Sequence, residues 1–120
     1  MKKATNIPRK LAERMAEALK DVKADHIQVL DVRRLTTMTD YMIIASGRSN
    51  RQVRAMADRV IEAAEELHLK PLGLEGYEGG EWVLVDLGDV IVHAMHPLTR
   101  AFYQLEKLWK DTAADHVQTI

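Results

Sequence analysis

Apolar residues along this chain recur with two periods, and the switches between them mark its elements. Leu11, Met15, Ala18, Leu19 and Val22 fall three or four residues apart and share one helical face. The spacing predicts a helix over 8–23, with Pro8 in the first turn, where a missing N–H leaves no bond unmade. "HIQVLDV" and "YMIIAS" are short β-rich runs parted by the polar "RRLTTMTD"; both read as strands, the second the more buried. After "GRSN" the helical period returns at Val53, Met56, Ala57, Val60, Ile61, Ala64 and Leu67, with Ser49 placed to cap it and Pro71 beyond its end. "PLGLEG" predicts a short strand, and "YEGG" a loop, since paired glycines reach unusual backbone angles at little cost.

A period of two then governs "EWVLVDLGDVIVHAMH", which reads as a β-hairpin. With Leu87 and Gly88 as the turn, Val83, Val85, Val90 and Val92 share an apolar face, and Trp82, Leu84, Asp86, Asp89, Ile91 and His93 share a mixed one. That register sets Asp86 opposite Asp89, where like charges repel, so a longer loop that shifts one of them is an equal alternative. "HPLTRAFYQLEKLWKD" predicts the last helix, entered at Pro97. At about 100° per residue, Leu98, Phe102, Leu105 and Trp109 lie in one narrow arc, the expected core face, flanked by Ala101 and Leu108. Tyr103 lies opposite, beside Thr99, Glu106 and Lys110, and is expected to face solvent. The tail from about residue 111 carries no pattern and is expected to fray. The order is α-β-β-α-β-β-β-α: an α/β (α+β) fold with a mixed β-sheet of about five strands flanked by helices.

Composition narrows the function classes. At 120 residues and 13.6 kDa, with 47% hydrophobic residues, the chain is expected to form a single domain over 1–120. Seventeen Lys and Arg against eighteen Asp and Glu leave a formal charge of -1, too little to draw the protein onto DNA, RNA or anionic membrane at large. Contact with RNA would be local, and Arg48, Arg51 and Arg54 form the basic group that could make it, although such a group is commonly a solvated helix end. There is no cysteine, which removes thiol and cysteine–zinc chemistry. No apolar run reaches the roughly 18 residues of a membrane span, so a cytoplasmic, soluble protein is expected. His93 and His96 point to opposite faces if both lie on a strand, and His26 and His68 complete no tetrahedral set, so neither metal nor cofactor is expected.

Two blocks, "DYMIIASGRSNRQVRAMADRV" and "GLEGYEGGEWVLVDLGDVIVHAMHPLTRAFYQLEKLW", resemble the ribosomal silencing factor family, RsfS or Iojap, over roughly Ala12 to Lys110. The ordered match of several blocks is more specific than a lone motif; "MKKATNIPRK" and the tail after Trp109 match nothing in it. The resemblance implies a non-enzymatic protein that binds the large (50S) ribosomal subunit through ribosomal protein L-fourteen, where the small subunit docks. It would so block subunit joining and slow translation when nutrients are scarce. The docking surface is placed on the mixed hairpin face and the exposed side of the last helix. Trp82, Leu87, Val90, Tyr103 and Glu106 supply two aromatic anchors and a polar rim. Asp86 and Asp89 at the hairpin edge, and Arg100 in the matching block, complete the set. A homodimer is compatible with exposed apolar groups on so small a domain.

The resemblance also implies a nucleotidyltransferase-like fold, and with it a competing enzyme that uses metal and nucleotide. In that chemistry the metal-binding carboxylates sit two residues apart on one strand face, whereas Asp86 and Asp89 are three apart across a glycine. "GRSNR" lacks the Lys-Ser/Thr ending of a phosphate loop. Asp and Gly together are common turn chemistry, so the acidic pair is expected to shape a hairpin and not to catalyse.

Overall fold

Leu11, Ala12, Met15, Ala18 and Leu19 all point inward from the first helix, α1 (Lys2–Asp21), as their spacing dictates. The computed structural model describes residues 2–110 and 117–119, with side chains from Ile7 to Leu108. α1 begins at Lys2 and carries Pro8 inside it, so the expected start at Pro8 is corrected. Lys2, Lys3 and Ala4 are good helix formers, and they extend the helix although Pro8 removes one N–H from the ladder and its ring crowds the carbonyl one turn earlier. At the other end Lys23 turns left-handed (φ 59°), and Ala24 N donates to Leu19 O at 3.0 Å.

β1 (Asp25–Asp31) and β2 (Tyr41–Ser46) form where the β-branched runs lie, and every β2 residue is buried. α2 (Asn50–Glu66) is capped by Ser49, whose Oγ accepts from Gln52 N at 3.1 Å. Gln52 also reaches back, its Nε2 donating to Val22 O and Lys23 O at 3.2 Å, which ties the start of α2 to the end of α1. β3 (Gly73–Glu75), β4 (Trp82–Asp86) and β5 (Val90–Met95) follow. The sheet runs β3-β4-β5-β2-β1-β6, with β6 at Val117–Thr119. β2 and β5 pair in parallel at its centre, and the other pairings are antiparallel. The sheet thus holds one strand more than expected: residues 117–119, expected to fray, pair with β1, while 111–116 lie outside the described residues.

α1 and α2 cover one sheet face, burying Val83, Val85, Leu87, Val90 and Val92 with Ile43 and Ala45. The other face carries only a small cluster, Leu30, Val32, Met42, Ile44 and Met95, under Leu35, Trp82 and Leu105. The hairpin takes the shifted register: Asp86 faces Ile91, and Leu87 N donates to Val90 O at 2.9 Å. Gly88 and Asp89 therefore form the turn, with Gly88 at φ +86°, a conformation that glycine adopts without steric cost.

The last helix departs most from expectation. It breaks at Gln104, which is left-handed (φ 48°, ψ 48°), into α3 (Pro97–Tyr103) and α4 (Leu105–Lys110). The arc of Leu98, Phe102 and Leu105 is not one core face, because the break turns α4 away from the line of α3. Leu105 packs on the sheet, whereas Leu98 and Phe102 are 76% and 79% exposed. The Trp109 side chain falls outside the described residues.

Candidate partner-docking surface

Trp82 opens β4 on the thinly covered sheet face, and its indole is fixed from below. Its Nε1–H donates to His93 Nδ1 at 3.0 Å, across a ring-centroid distance of 6.0 Å. Burial pushes the His93 pKa down from 6.5 to about 4, so the imidazole stays neutral and its Nδ1 lone pair is free to accept. His93 Nε2 is buried and has no hydrogen-bond partner among the described residues. Tyr103 lies over Trp82 with centroids 4.9 Å apart, and Phe102 meets Tyr103 edge to face at the same separation. A chain of three rings therefore runs from β4 up onto α3, in geometries that suit aromatic quadrupoles.

Around these rings the surface is apolar. Leu98, Phe102 and Leu108 are each at least 70% exposed, and Tyr103 is 56% exposed. Between α4 and the sheet, Trp82, Tyr103, Leu105 and Leu108 line a cleft of about 510 Å³, with Gln104 and Lys107 at its rim. An exposed strip of this kind marks an interaction site more often than idle surface.

The remaining candidate residues divide by geometry. Asp86 is half-buried, and its Oδ1 accepts from Gly88 N at 2.8 Å, the bond that closes the turn; Asp89 is exposed at the tip. Leu87 and Val90 do not share the mixed face with Trp82. Alternation sends both side chains into the core beneath the helices, where they are 8% and 0% exposed. Arg100 and Glu106 are joined at 2.9 Å and line a different cleft, behind α3. Leu98, Phe102 and Leu108, which the helical arc assigned to or beside the core, belong instead to the exposed strip. Nothing local announces the left-handed Gln104 that puts them there, since no glycine or asparagine stands at the break.

Arg48, Arg51 and Arg54 sit at the start of α2. Arg48 Nε donates to Asp25 at 3.2 Å and Arg54 Nη1 to Glu78 O at 3.2 Å, while Arg51 is exposed. Among the described residues no three His, Cys, Asp or Glu side chains converge on a point where a metal could sit. Nor is any described helix long and apolar enough to cross a membrane.

Rings held on the sheet and an apolar strip around them have the make-up of a surface that docks onto a partner. The chain belongs to the family described as "Ribosomal silencing factor during starvation", which it matches over residues 5–120, so the tail after Trp109 and most of "MKKATNIPRK", expected to lie outside the resemblance, fall within it. It is 50% identical over 93 residues to the ribosomal silencing factor RsfS of Chromobacterium violaceum, covering 78% of this chain and 76% of that one. A crystal structure of a protein from the same bacterium superposes with a TM-score of 0.83 at 46% identity, covering 84% of both chains. More distantly, mouse "Mitochondrial assembly of ribosomal large subunit protein 1" is 34% identical over 98 residues, 79% of this chain and 43% of that one. The family is one of ribosome-directed regulators and not of enzymes, so the nucleotidyltransferase reading falls away.

Proposed function

We propose that this protein binds the large (50S) ribosomal subunit through ribosomal protein L-fourteen, and by occupying that face prevents the small subunit from joining, slowing translation when nutrients are short. The observation that carries the reading is the Trp82–Tyr103 ring pair, exposed beside Leu98, Phe102 and Leu108. Aromatic anchors in a desolvated centre, ringed by polar groups, are what concentrates binding energy at protein interfaces. Gln104 and Lys107 supply polar groups at the edge of that centre, while Asp86 and Asp89 stand at the far end of the hairpin, where they would meet the partner separately. The mention of starvation in the family description supports the setting, and the name of the mouse relative supports the choice of subunit.

Steric occlusion requires no chemistry, only a rigid body at the right place, and the sheet beneath Trp82 supplies the rigidity. Arg51, exposed at the start of α2 with Arg48 and Arg54, would make any minor contact with ribosomal RNA, and the same apolar strip is the surface a second copy would cover in a homodimer. The test is sedimentation of the protein with separated ribosomal subunits. Wild type is expected in the large-subunit peak, and Tyr103→Ala should lose roughly 1 to 4 kcal/mol of binding while remaining folded. Migration with the small subunit, or full binding by the variant, would reject the docking assignment.

A further inference from the structure

Asn50, Arg54 and Asp58 stand four residues apart on one side of α2, and all three bond to the loop between β3 and β4. Asn50 Nδ2 donates to Gly79 O at 3.2 Å, Arg54 Nη1 donates to Glu78 O at 3.2 Å, and Asp58 Oδ2 accepts from Tyr77 OH at 3.0 Å. The loop thus lies along the helix in the reverse direction, one residue to each turn. Within it Gly80 N donates to Gly76 O at 3.1 Å. Gly80 is buried against α2: a methyl group there would come within 2.5 Å of Arg54 Nη1 and 2.9 Å of Asn50 Cβ, and its φ of +72° favours glycine.

The same loop leads straight to the ring pair. β3 ends at Glu75, opposite Leu84, so the outer side of Trp82 is met by the loop and not by a strand. There the approach is close, since a methyl group on Gly76 would lie 2.1 Å from Trp82 O. At the loop's end Glu81 O accepts from His96 N at 2.8 Å, and His96 Nδ1 accepts from Leu98 N at 3.2 Å to cap α3. One short loop therefore abuts Trp82 and carries the first turn of the helix that bears Tyr103. β3 itself has three residues and lies at the edge of the sheet, where a strand is held least firmly.

We infer that Asn50, Arg54 and Asp58 are positioning residues for the docking surface. By clamping residues 77–79 to α2 they set where Trp82 and α3 lie, and so how Tyr103 rests on Trp82. Rings already in place when a partner arrives lose less freedom on binding, which is the advantage the clamp confers. The inference rests on the docking reading above and extends it to side chains on the helix that covers the opposite face of the sheet. It also gives the Arg54 guanidinium a task other than meeting RNA, because that group is turned to the loop.

NMR of the isotope-labelled full chain, together with sedimentation against large subunits, tests it. The reporter is the Trp82 indole N–H, which donates to His93 and is identified by its absence in Trp82→Phe. Arg54→Ala and Tyr77→Phe should each move that signal and weaken the ring-to-ring NOEs between Trp82 and Tyr103, while the remaining amides stay dispersed. Affinity for the large subunit should fall about three- to tenfold in each, the effect of one hydrogen bond. Tyr77→Phe changes no charge, so its loss cannot come from a missing RNA contact. Arg51→Ala, outside the clamp, should leave the indole signal where it is. An unmoved Trp82 signal in both clamp variants would overturn the inference, as would full subunit binding by both where the wild type binds. If the wild type itself fails to sediment with the large subunit, the docking partner is rejected, and the indole signal alone decides the positioning.

Discussion

His93 is an ionisable group that the fold keeps neutral. Burial lowers its pKa from 6.5 to about 4, so the unfolded chain takes up this proton at a higher pH than the folded one does. The sign follows: the unfolded state binds more protons between those values, and stability falls as pH drops from about 6.5 towards 4. The loss from this one residue is at most about 3 kcal/mol. Thermal unfolding of wild type and His93→Leu across that interval should show a steeper decline for wild type. Phe102 gives the complementary case. At 79% exposure, Phe102→Ala should cost less than about 1.5 kcal/mol, chiefly the edge contact with Tyr103, and it and Tyr103→Ala should both unfold near wild type. Truncating a buried residue such as Met56 to Ala should cost about 2 to 5 kcal/mol, and denaturant titration of all three separates the classes. The helical angle placed neither ring: it set Phe102 in the core and Tyr103 opposite, whereas Phe102 is the more exposed of the two and Tyr103 rests on Trp82, because the face of α3 turned to the sheet is chosen by the buried Arg100 and not by the apolar arc.

At the scale of elements, sequence periodicity served wherever a segment packs on one face of the sheet. α2 and the hairpin behave as their spacing says, since burial against a flat partner enforces the period. It failed where a backbone choice is settled by distant contacts. Gln104 is left-handed because Leu105 docks on the sheet while Arg100 is tied to His26 and Ser46, and no residue near position 104 records those bonds. β6 is likewise a short polar segment that becomes a strand by pairing with β1. A left-handed conformation costs a non-glycine residue about 1 to 2 kcal/mol and suits β-branched residues worst. Gln104→Gly should therefore melt at or above the wild-type temperature, and Gln104→Val below it by the equivalent of about 1 to 2 kcal/mol, as calorimetry would read directly. The proposed docking surface spans this break, so if it serves the large subunit Gln104→Val should also weaken that binding, whereas Gln104→Gly should preserve it.

For the whole molecule, composition and charge bounded the class while the arrangement of the two sheet faces did not follow from them. One face is sealed by α1 and α2; the other is left thin, and there the rings, the buried arginine and both clefts collect. The central pairing also fixes the order in which the protein can come into being. β2 joins β5 in parallel, Tyr41 beside Val90 through Ser46 beside Met95, so the middle of the sheet is completed by residues some fifty positions downstream of its first half. A chain ending at Gly80 has α1, α2 and β1 to β3 but nothing to fill the gap between β2 and β3, and it should give the poorly dispersed amide spectrum of an unfolded polypeptide. During synthesis, then, the middle of the sheet stays open, and the core under α1 and α2 incomplete, until Val90–Met95 has left the ribosome.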